Sequence, residues 1–383
     1  MIQSLHMNSR ERAQQLLSKA GITIDGSNPW DPQIKNHAVF DRIFAGGSLA
    51  VGESYMDNWW DVEDLAEMLR RIHRADVSRE IMNIGMLTHV LKAQLVNLQS
   101  KARAFQVGEE HYDIGNDLYT AMLDKRLTYT CGYWSGTPEA KNLEEAQEAK
   151  LDLICRKVGL KPGDRVLDIG CGWASFLIFA AEKYGVHGVG LTVSKEQKEL
   201  ADKLIAEKGL SDKIEIRLQD YREVPDGPYD AIISIGMFEH VGHKNYRIYM
   251  DVARRVLKED GLFLLHTIGT DRTPRAPEPW FHKYIFPNGI LPSPRLMAAA
   301  IEGDFVLEDW HNFGYDYSRT LQAWWENFDR AWPSLQKHYD ERFYRMWKFY
   351  LQSMIATFQA RTMSLWQIVL SPKGVEGGYR RVS

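Results

Sequence analysis

The stretch Val166-Leu-Asp-Ile-Gly-Cys-Gly-Trp173 constrains the fold of this chain more than any other. Arg165 to Ile169 is a short apolar run, and it passes directly into Gly170 and Gly172. A strand that ends this way and turns into a helix brings backbone close to a ligand, where a Cβ would block approach. The helix start that follows suits a negative group. Dinucleotide enzymes use such a turn for pyrophosphate, as Gly-x-Gly-x-x-Gly. Here the third glycine position holds Ser175, so that fingerprint is incomplete. Further strands are expected at Val186 to Thr192, Ile214 to Leu218, Tyr229 to Ile235 and Leu262 to His266. Helical segments lie between them, such as Lys195 to Lys208 and Tyr246 to Leu257. This alternation predicts an α/β fold, a mostly parallel, doubly wound, Rossmann-like sheet. Phe305 to Asn312 and Leu365 to Leu370 are expected to add strands at one edge, with an aromatic-rich helical segment between them.

The first part of the chain lacks that alternation. Ser9 is read as capping a helix to Ala20, and a second helix from His37 to Phe44 is expected to end at Gly46-Gly47. A third begins near Asp61, and Met82 to Arg103 has the spacing of one long helix. A smaller, mainly helical N-terminal domain over residues 1–105 and a catalytic domain over 106–383 follow. A length of 383 residues suits two domains. The net charge of −4 argues against a nucleic-acid partner but leaves room for a local basic face. Three cysteines with no CxxC pair indicate neither a disulfide framework nor a metal site, and they suit a reducing cytoplasm. The start of the chain is polar and mixed in charge, so no secretory signal is expected. No apolar run approaches a membrane span.

The Asp-x-Gly-x-Gly form at Asp168, Gly170 and Gly172 resembles motif I of S-adenosylmethionine-dependent methyltransferases, whose turn faces the methionine half of the cofactor. Many of them carry an acidic residue at the next strand end for the ribose. This chain has none there; Thr192, Ser194 and Gln197 offer hydroxyl and amide groups instead, although Ser194 is also a sound helix cap. At the third strand end, Gln219 and Asp220 offer polar groups to the cofactor, and Tyr221 offers a ring to pack on adenine. Asp220 is equally a turn residue.

The resemblance becomes specific across several further segments. They are Gly52 to Trp60, Gly108 to Asn116, Tyr129-Thr-Cys-Gly-Tyr-Trp134, Gly236-Met-Phe-Glu-His-Val-Gly242, Leu264 to Gly269, Lys283 to Gly289 and Trp310 to Gly314. In this order they are similar to cyclopropane-fatty-acyl-phospholipid synthases over nearly the whole chain. The resemblance implies a class I methyltransferase domain, S-adenosylmethionine as methyl donor, and unsaturated phospholipid as substrate. It implies a homodimer bound peripherally at the inner membrane face of the cytoplasm, with the N-terminal domain handling lipid. It also implies a bicarbonate ion held by Cys131, Glu239, His266, the backbone of Ile268, and Tyr317, with Tyr129 and Thr130 touching the cofactor. Lys92 to Arg103 and Arg342 to Lys348 are candidate amphipathic contacts with lipid, although packing the core is the commoner fate of such stripes.

The chemistry has its own requirements. An isolated alkene is a poor nucleophile, so the site must align it with the methyl–sulfur axis and exclude water. The resulting cation needs electron-rich neighbours and one base to close the ring. Without an ion, Glu239 and His266 could themselves form an acid–base pair. Other fates of the cation, an amine substrate, or a catalytically silent lipid binder stay open at this level. The family has been assigned a cysteine in the late helical region where this chain has Met354, and a thioether cannot act as a thiol nucleophile.

Overall fold

A computed structural model describes residues 7–77 and 115–382, which fall into two compact units. So far as their residues are described, the first gathers Met1–Val96, Arg275–Pro287 and Leu321–Met363, and the second Asn97–Pro274, Asn288–Thr320 and Ser364–Ser383. The expected boundary near residue 105, the long helix from Met82, the Lys92 to Arg103 lipid contact and residues 108–114 of the family motif lie outside the described residues.

The chain opens with α1 (Ser9–Ser18). Its cap is Asn8, one residue earlier than expected, because Asn8 and Glu11 complete a reciprocal capping box. β1 (Gln33–Ile34) pairs antiparallel with β2 (Trp60–Asp61), and α2 (Val39–Met56) lies between them in sequence. The predicted stop at Gly46-Gly47 is a kink instead. Gly47 takes φ 60° and ψ −143°, and the helix resumes, burying Ala50, Tyr55 and Met56. α3 (Leu65–Arg74) starts later than expected, capped by Asp64, because Trp60 and Asp61 are spent on the ribbon.

The second unit begins with α4 (Asn116–Met122) and α5 (Leu143–Lys157). β3 (Arg165–Ile169), α6 (Ser175–Tyr184), β4 (His187–Thr192), α7 (Lys195–Glu207), β5 (Ile214–Leu218), β6 (Tyr229–Ile235), α8 (Tyr246–Val256) and β7 (Leu257–Thr270) then alternate as predicted. Later in the chain, α9 (Pro279–Tyr284), most of α11 (Gly314–Leu335) and α12 (Glu341–Ala360) belong to the first unit, whereas α10 (Pro294–Ile301), β8 (Val306–Asn312) and nearly all of β9 (Met363–Ser371) belong to the second. The strand order is β5-β4-β3-β6-β7-β9-β8; the pairings among the first five are parallel, and β8 runs antiparallel to β9. The two late strands thus extend one edge, as expected.

Side chains alternate between two apolar clusters along the central strands. Leu167, Ile169, Ile232, Phe263 and Leu265 join one cluster; Val166, Ala231, Ile233 and Leu264 join the other. Burial on both faces makes these strands near-continuous apolar runs. Each fully buried large apolar side chain contributes roughly 1.5–3 kcal/mol, so the sheet is a rigid base for the loops at its strand ends.

Within the first unit, the Gly52 to Trp60 segment is a packing device. A Cβ on Gly52 would lie 2.3 Å from the Trp280 ring. Arg345 donates to the carbonyls of Tyr55 and Trp60 and pairs with Asp61. Arg342 pairs with Asp57, and Trp347 is fully buried. In the Arg342 to Lys348 stretch, Trp347 and Arg345 are thus buried within the unit, while Arg342 pairs with Asp57 at the surface. Met354 is buried on α12 in this same unit, whereas the sheet and the other predicted site residues belong to the second. Met354→Leu, which conserves volume, is expected to cost less than about 1.5 kcal/mol and to leave turnover within about threefold of the parent. A melting curve and an activity assay check this; lost activity with intact folding would contradict it.

Candidate active site

The site grows from the ends of β3, β6 and β7. At the first, Asp168 is 2% exposed, and its Oδ1 has no hydrogen-bond partner among the described residues. Burial pushes this carboxyl up to about 7, opposed by the ammonium of Lys150. Gly170 takes φ 85°, and a Cβ there would meet Met237 at 2.6 Å. Gly172 takes φ 54° and faces open space, so backbone is presented bare at the start of α6.

At the neighbouring strand ends the candidate residues hydrogen-bond and pack within the protein. Thr192 donates to Gln197 Oε1 at 2.8 Å, and Ser194 caps α7 by accepting from Gln197 N–H. Asp220 accepts from the Arg222 backbone and guanidinium. Gln219 donates to the Glu223 carbonyl. Tyr221 is buried against Tyr249, with ring centroids 4.9 Å apart. These residues build the rim of the strand ends through contacts with one another.

At the ends of β6 and β7 the structure brings Glu239, His266 and Ile268 together. Ile235 is in register with His266, and Gly236 N–H donates to the His266 carbonyl. Glu239 follows on a short 3-10 turn, where its Oε1 accepts from Ile268 N–H at 2.7 Å. The amide expected to face an ion is thus turned to the carboxyl. Glu239 Oε2 is buried with no close hydrogen bond among the described residues, and burial pushes the acid up to about 7 against the opposing influence of the Ile268 and Glu239 N–H groups and the Thr267 hydroxyl. His266 is also buried, and burial with the Lys150 and Lys157 cations holds it well below its usual range, so the ring is neutral. Gln367 Nε2 lies 3.3 Å from His266 Nδ1. With Gln367 donating, the ring proton sits on Nε2, an atom that also lacks a partner among the described residues.

The Tyr129 to Trp134 segment packs beside this group. A Cβ on Gly236 would meet Thr130 Cγ2 at 2.7 Å. Tyr129 faces Tyr119, which faces Trp173 of the glycine turn. Cys131 is fully buried, and burial raises its thiol well above the usual value, so it is a thiol and not a thiolate nucleophile. Tyr317 is buried on α11, beside that helix's Asp316 and Thr320. Asp316 accepts from the N–H groups of Trp134 and Ser135, and Thr320 accepts from Gly132 N–H and Trp134 Nε1. Sequence reasoning missed Asp316, Thr320, Gln367 and Lys150. The i, i+4 spacing of Asp316 and Thr320 is the one signal that would have put both on one helix face.

The strand order, with the glycine turn at the end of β3, is that of S-adenosylmethionine-dependent methyltransferases. Among solved structures, the cyclopropane synthase MmaA2 of Mycobacterium tuberculosis matches with a TM-score of 0.66 and 30% identity, covering 72% of this chain and 99% of that one. The mycolic acid cyclopropane synthase CmaA1 complexed with SAH and CTAB matches with a TM-score of 0.64 and 31% identity, covering 70% and 97%. The chain belongs to the mycolic acid cyclopropane synthetase family, whose sequence model matches residues 99–368. Across 369 residues it is 50% identical to the cyclopropane-fatty-acyl-phospholipid synthase of Escherichia coli strain K12, covering 96% of this chain and 94% of that protein.

Proposed function

We propose that this enzyme transfers a methylene from S-adenosylmethionine to the cis double bond of unsaturated phospholipid acyl chains, forming a cyclopropane ring. The observation that carries the reading is the pair of buried polar atoms, Glu239 Oε2 and His266 Nε2, that lack a hydrogen bond among the described residues where β6 ends beside β7. A proton acceptor is needed there and a strong nucleophile is not, which agrees with a protonated Cys131.

Bound S-adenosylmethionine supplies an electrophilic methyl group, and bound bicarbonate supplies a base. The donor set suits the ion: His266 Nε2–H and the Tyr317 hydroxyl are neutral donors for a small anion, the Cys131 Sγ–H, which donates to the Gly132 carbonyl in this structure, would turn to it, and Glu239 would accept its hydroxyl proton. Asp168 and the Gly170–Gly172 turn hold the donor's methionine half, with Tyr129 and Thr130 beside it. Thr192, Ser194, Gln197, Gln219, Asp220 and Tyr221 form the rim around the ribose and adenine. The buried Phe313 ring stands 6.0 Å from the His266 ring, with Tyr133 packed behind it at 5.2 Å, as electron-rich, water-excluding walls. Glu239, with its high proton affinity, keeps the deprotonation site close to neutral until the proton from the new methyl group arrives.

None of the helices among the described residues is long and apolar enough to cross a membrane. By likeness to a relative that acts on phospholipid, we place the enzyme at the membrane surface on the cytoplasmic side, as a homodimer whose N-terminal residues meet the lipid. Incubation with methyl-labelled S-adenosylmethionine and vesicles of unsaturated phospholipid tests the reading. Label in the acyl chains, with the enzyme co-sedimenting with the vesicles, is the expected result. Label confined to water-soluble amines would overturn it.

A further inference from the structure

Gln367 is a polar side chain buried where the sheet is otherwise apolar. From Leu365 to Leu370, β9 is apolar at every position but this one, and Gln367 has no exposed surface. Trp366, Ile368 and Leu370 join one of the two apolar clusters and Val369 the other, so strand alternation puts Gln367 on the Val369 side. β7 lies beside β9 in the sheet. Its Leu264 joins the same cluster as Val369, and His266 follows two residues on, on that side. Burying an amide there costs stability unless it is hydrogen-bonded. Its contact is His266: Gln367 Nε2 lies 3.3 Å from His266 Nδ1. His311, opposite Gln367 on β8, is engaged by Lys157, whose Nζ lies 3.1 Å from His311 Nδ1.

That contact decides what His266 is able to do. Burial keeps the ring neutral, aided by the Lys150 and Lys157 cations. A neutral imidazole carries one N–H, so one nitrogen donates and the other accepts. With the amide N–H directed at Nδ1, the ring proton sits on Nε2, the atom that has no hydrogen bond among the described residues. The ring then faces the site as a donor, with no lone pair there to take a proton. Turned over, the amide would offer its oxygen to Nδ1. The proton would then sit on Nδ1, and Nε2 would face the site as a base. The orientation of one amide separates the two chemistries.

We propose that Gln367 is a positioning residue that locks His266 as an Nε2–H donor, so that the imidazole orients the anion beside Glu239 and does not itself deprotonate the new methyl group. The inference rests on the reading of a bound bicarbonate at that place. On ring closure a C–H bond of the new methyl group breaks, and its electron pair forms the bond to the cationic carbon. The proton goes to the anion, and His266 keeps its one proton throughout.

The test is a two-bond proton–nitrogen correlation spectrum of the full-length protein with nitrogen-15 in its histidine rings, for the parent and for Gln367→Met, which keeps the volume and removes the donor. The chain has 12 histidines, so the His266 signals are identified as those missing from His266→Asn. In the parent the His266 proton is expected on Nε2. In Gln367→Met, with nothing directed at Nδ1, both tautomers should appear. The bicarbonate concentration that half-restores turnover, in solution stripped of carbon dioxide, should rise about fivefold in the variant, the effect of one net hydrogen bond. Affinity for S-adenosylmethionine, by calorimetry, should stay within about threefold, since Gln367 acts on the anion and not on the methyl donor. A parent ring protonated on Nδ1 would overturn the proposal, as would a variant with the parent's tautomer and bicarbonate dependence. A parent that turns over equally without bicarbonate would overturn the anion reading and the orienting role with it, whereas the wrong tautomer overturns this proposal alone. Should Gln367→Met fail to fold, Gln367→Leu with the parent spectrum carries the same test.

Discussion

Glu239→Gln is expected to lower turnover by about 10³-fold while leaving the affinity for S-adenosylmethionine within about threefold. The substituted side chain would keep an amide oxygen to accept from Ile268 N–H, so the loop geometry survives and only the acid–base function is lost. The proposed ion then loses the group that orients it. Stripping dissolved carbon dioxide should therefore slow the parent, with bicarbonate restoring it, and should change the variant little. The same substitution is expected to stabilise the fold at alkaline pH. The folded acid releases its proton near pH 7, the unfolded one near 4.5. Between those values the folded state binds more protons, so stability falls as pH rises through the window. The whole cost, at most roughly 3 kcal/mol, is present above pH 7 and absent below 4.5. Glu239→Gln should thus melt higher than the parent at pH 8.5 and nearly with it at pH 5. A variant that is less stable at pH 8.5 would show that the carboxyl is structural.

Asp316→Ala is expected to destabilise the protein by about 2–4 kcal/mol and to abolish most activity, because it removes the acceptor of the buried Trp134 N–H and of the more exposed Ser135 N–H at once. The carboxylate accepts from Trp134 N–H at 2.7 Å and Ser135 N–H at 2.9 Å, and the Ser135 hydroxyl also donates to it. Those groups sit just beyond Cys131, so their release should loosen the segment that carries the thiol. Cys131 is fully buried, and alkylation in the parent requires opening of the structure. Its alkylation by iodoacetamide at neutral pH should accelerate at least about tenfold in Asp316→Ala at a temperature where the protein is still folded. Asp316→Asn keeps one acceptor oxygen and should lose less. Equal stability of Asp316→Ala and the parent in a urea melt would contradict this account of the segment.

The features readable in sequence were local. β3 running into Gly170 and Gly172 carries its conformation in its residue types, and the strand–helix alternation after it follows from apolar periodicity. Glu239 follows the end of β6, where a doubly wound sheet puts its sites, and His266, read from the sequence as ending its strand, lies inside β7 opposite that end. The kink at Gly47 was hidden because paired glycines ordinarily stop a helix, and only burial of Tyr55 and Met56 explains why this one resumes. Asp316 was hidden for another reason. Its partner Trp134 lies 182 residues away, so nothing in its surroundings announces the pairing. Lys150 resembles any other lysine of α5 until folding places it against Thr130. Tyr221 stands after the third strand end, and its contact with Tyr249, 28 residues on, was likewise not legible in its local sequence.

The measurement that bears most directly on ring formation uses S-adenosylmethionine with a trideuterated methyl group, vesicles of unsaturated phospholipid, and mass spectrometry of the released fatty acids. Closure by loss of one deuteron from the new methyl group to the base beside Glu239 leaves two deuterons in a saturated ring, and that product is the predicted result. An acyl chain that keeps all three deuterons as a methyl branch, or carries no deuterium although the cofactor binds, would contradict it.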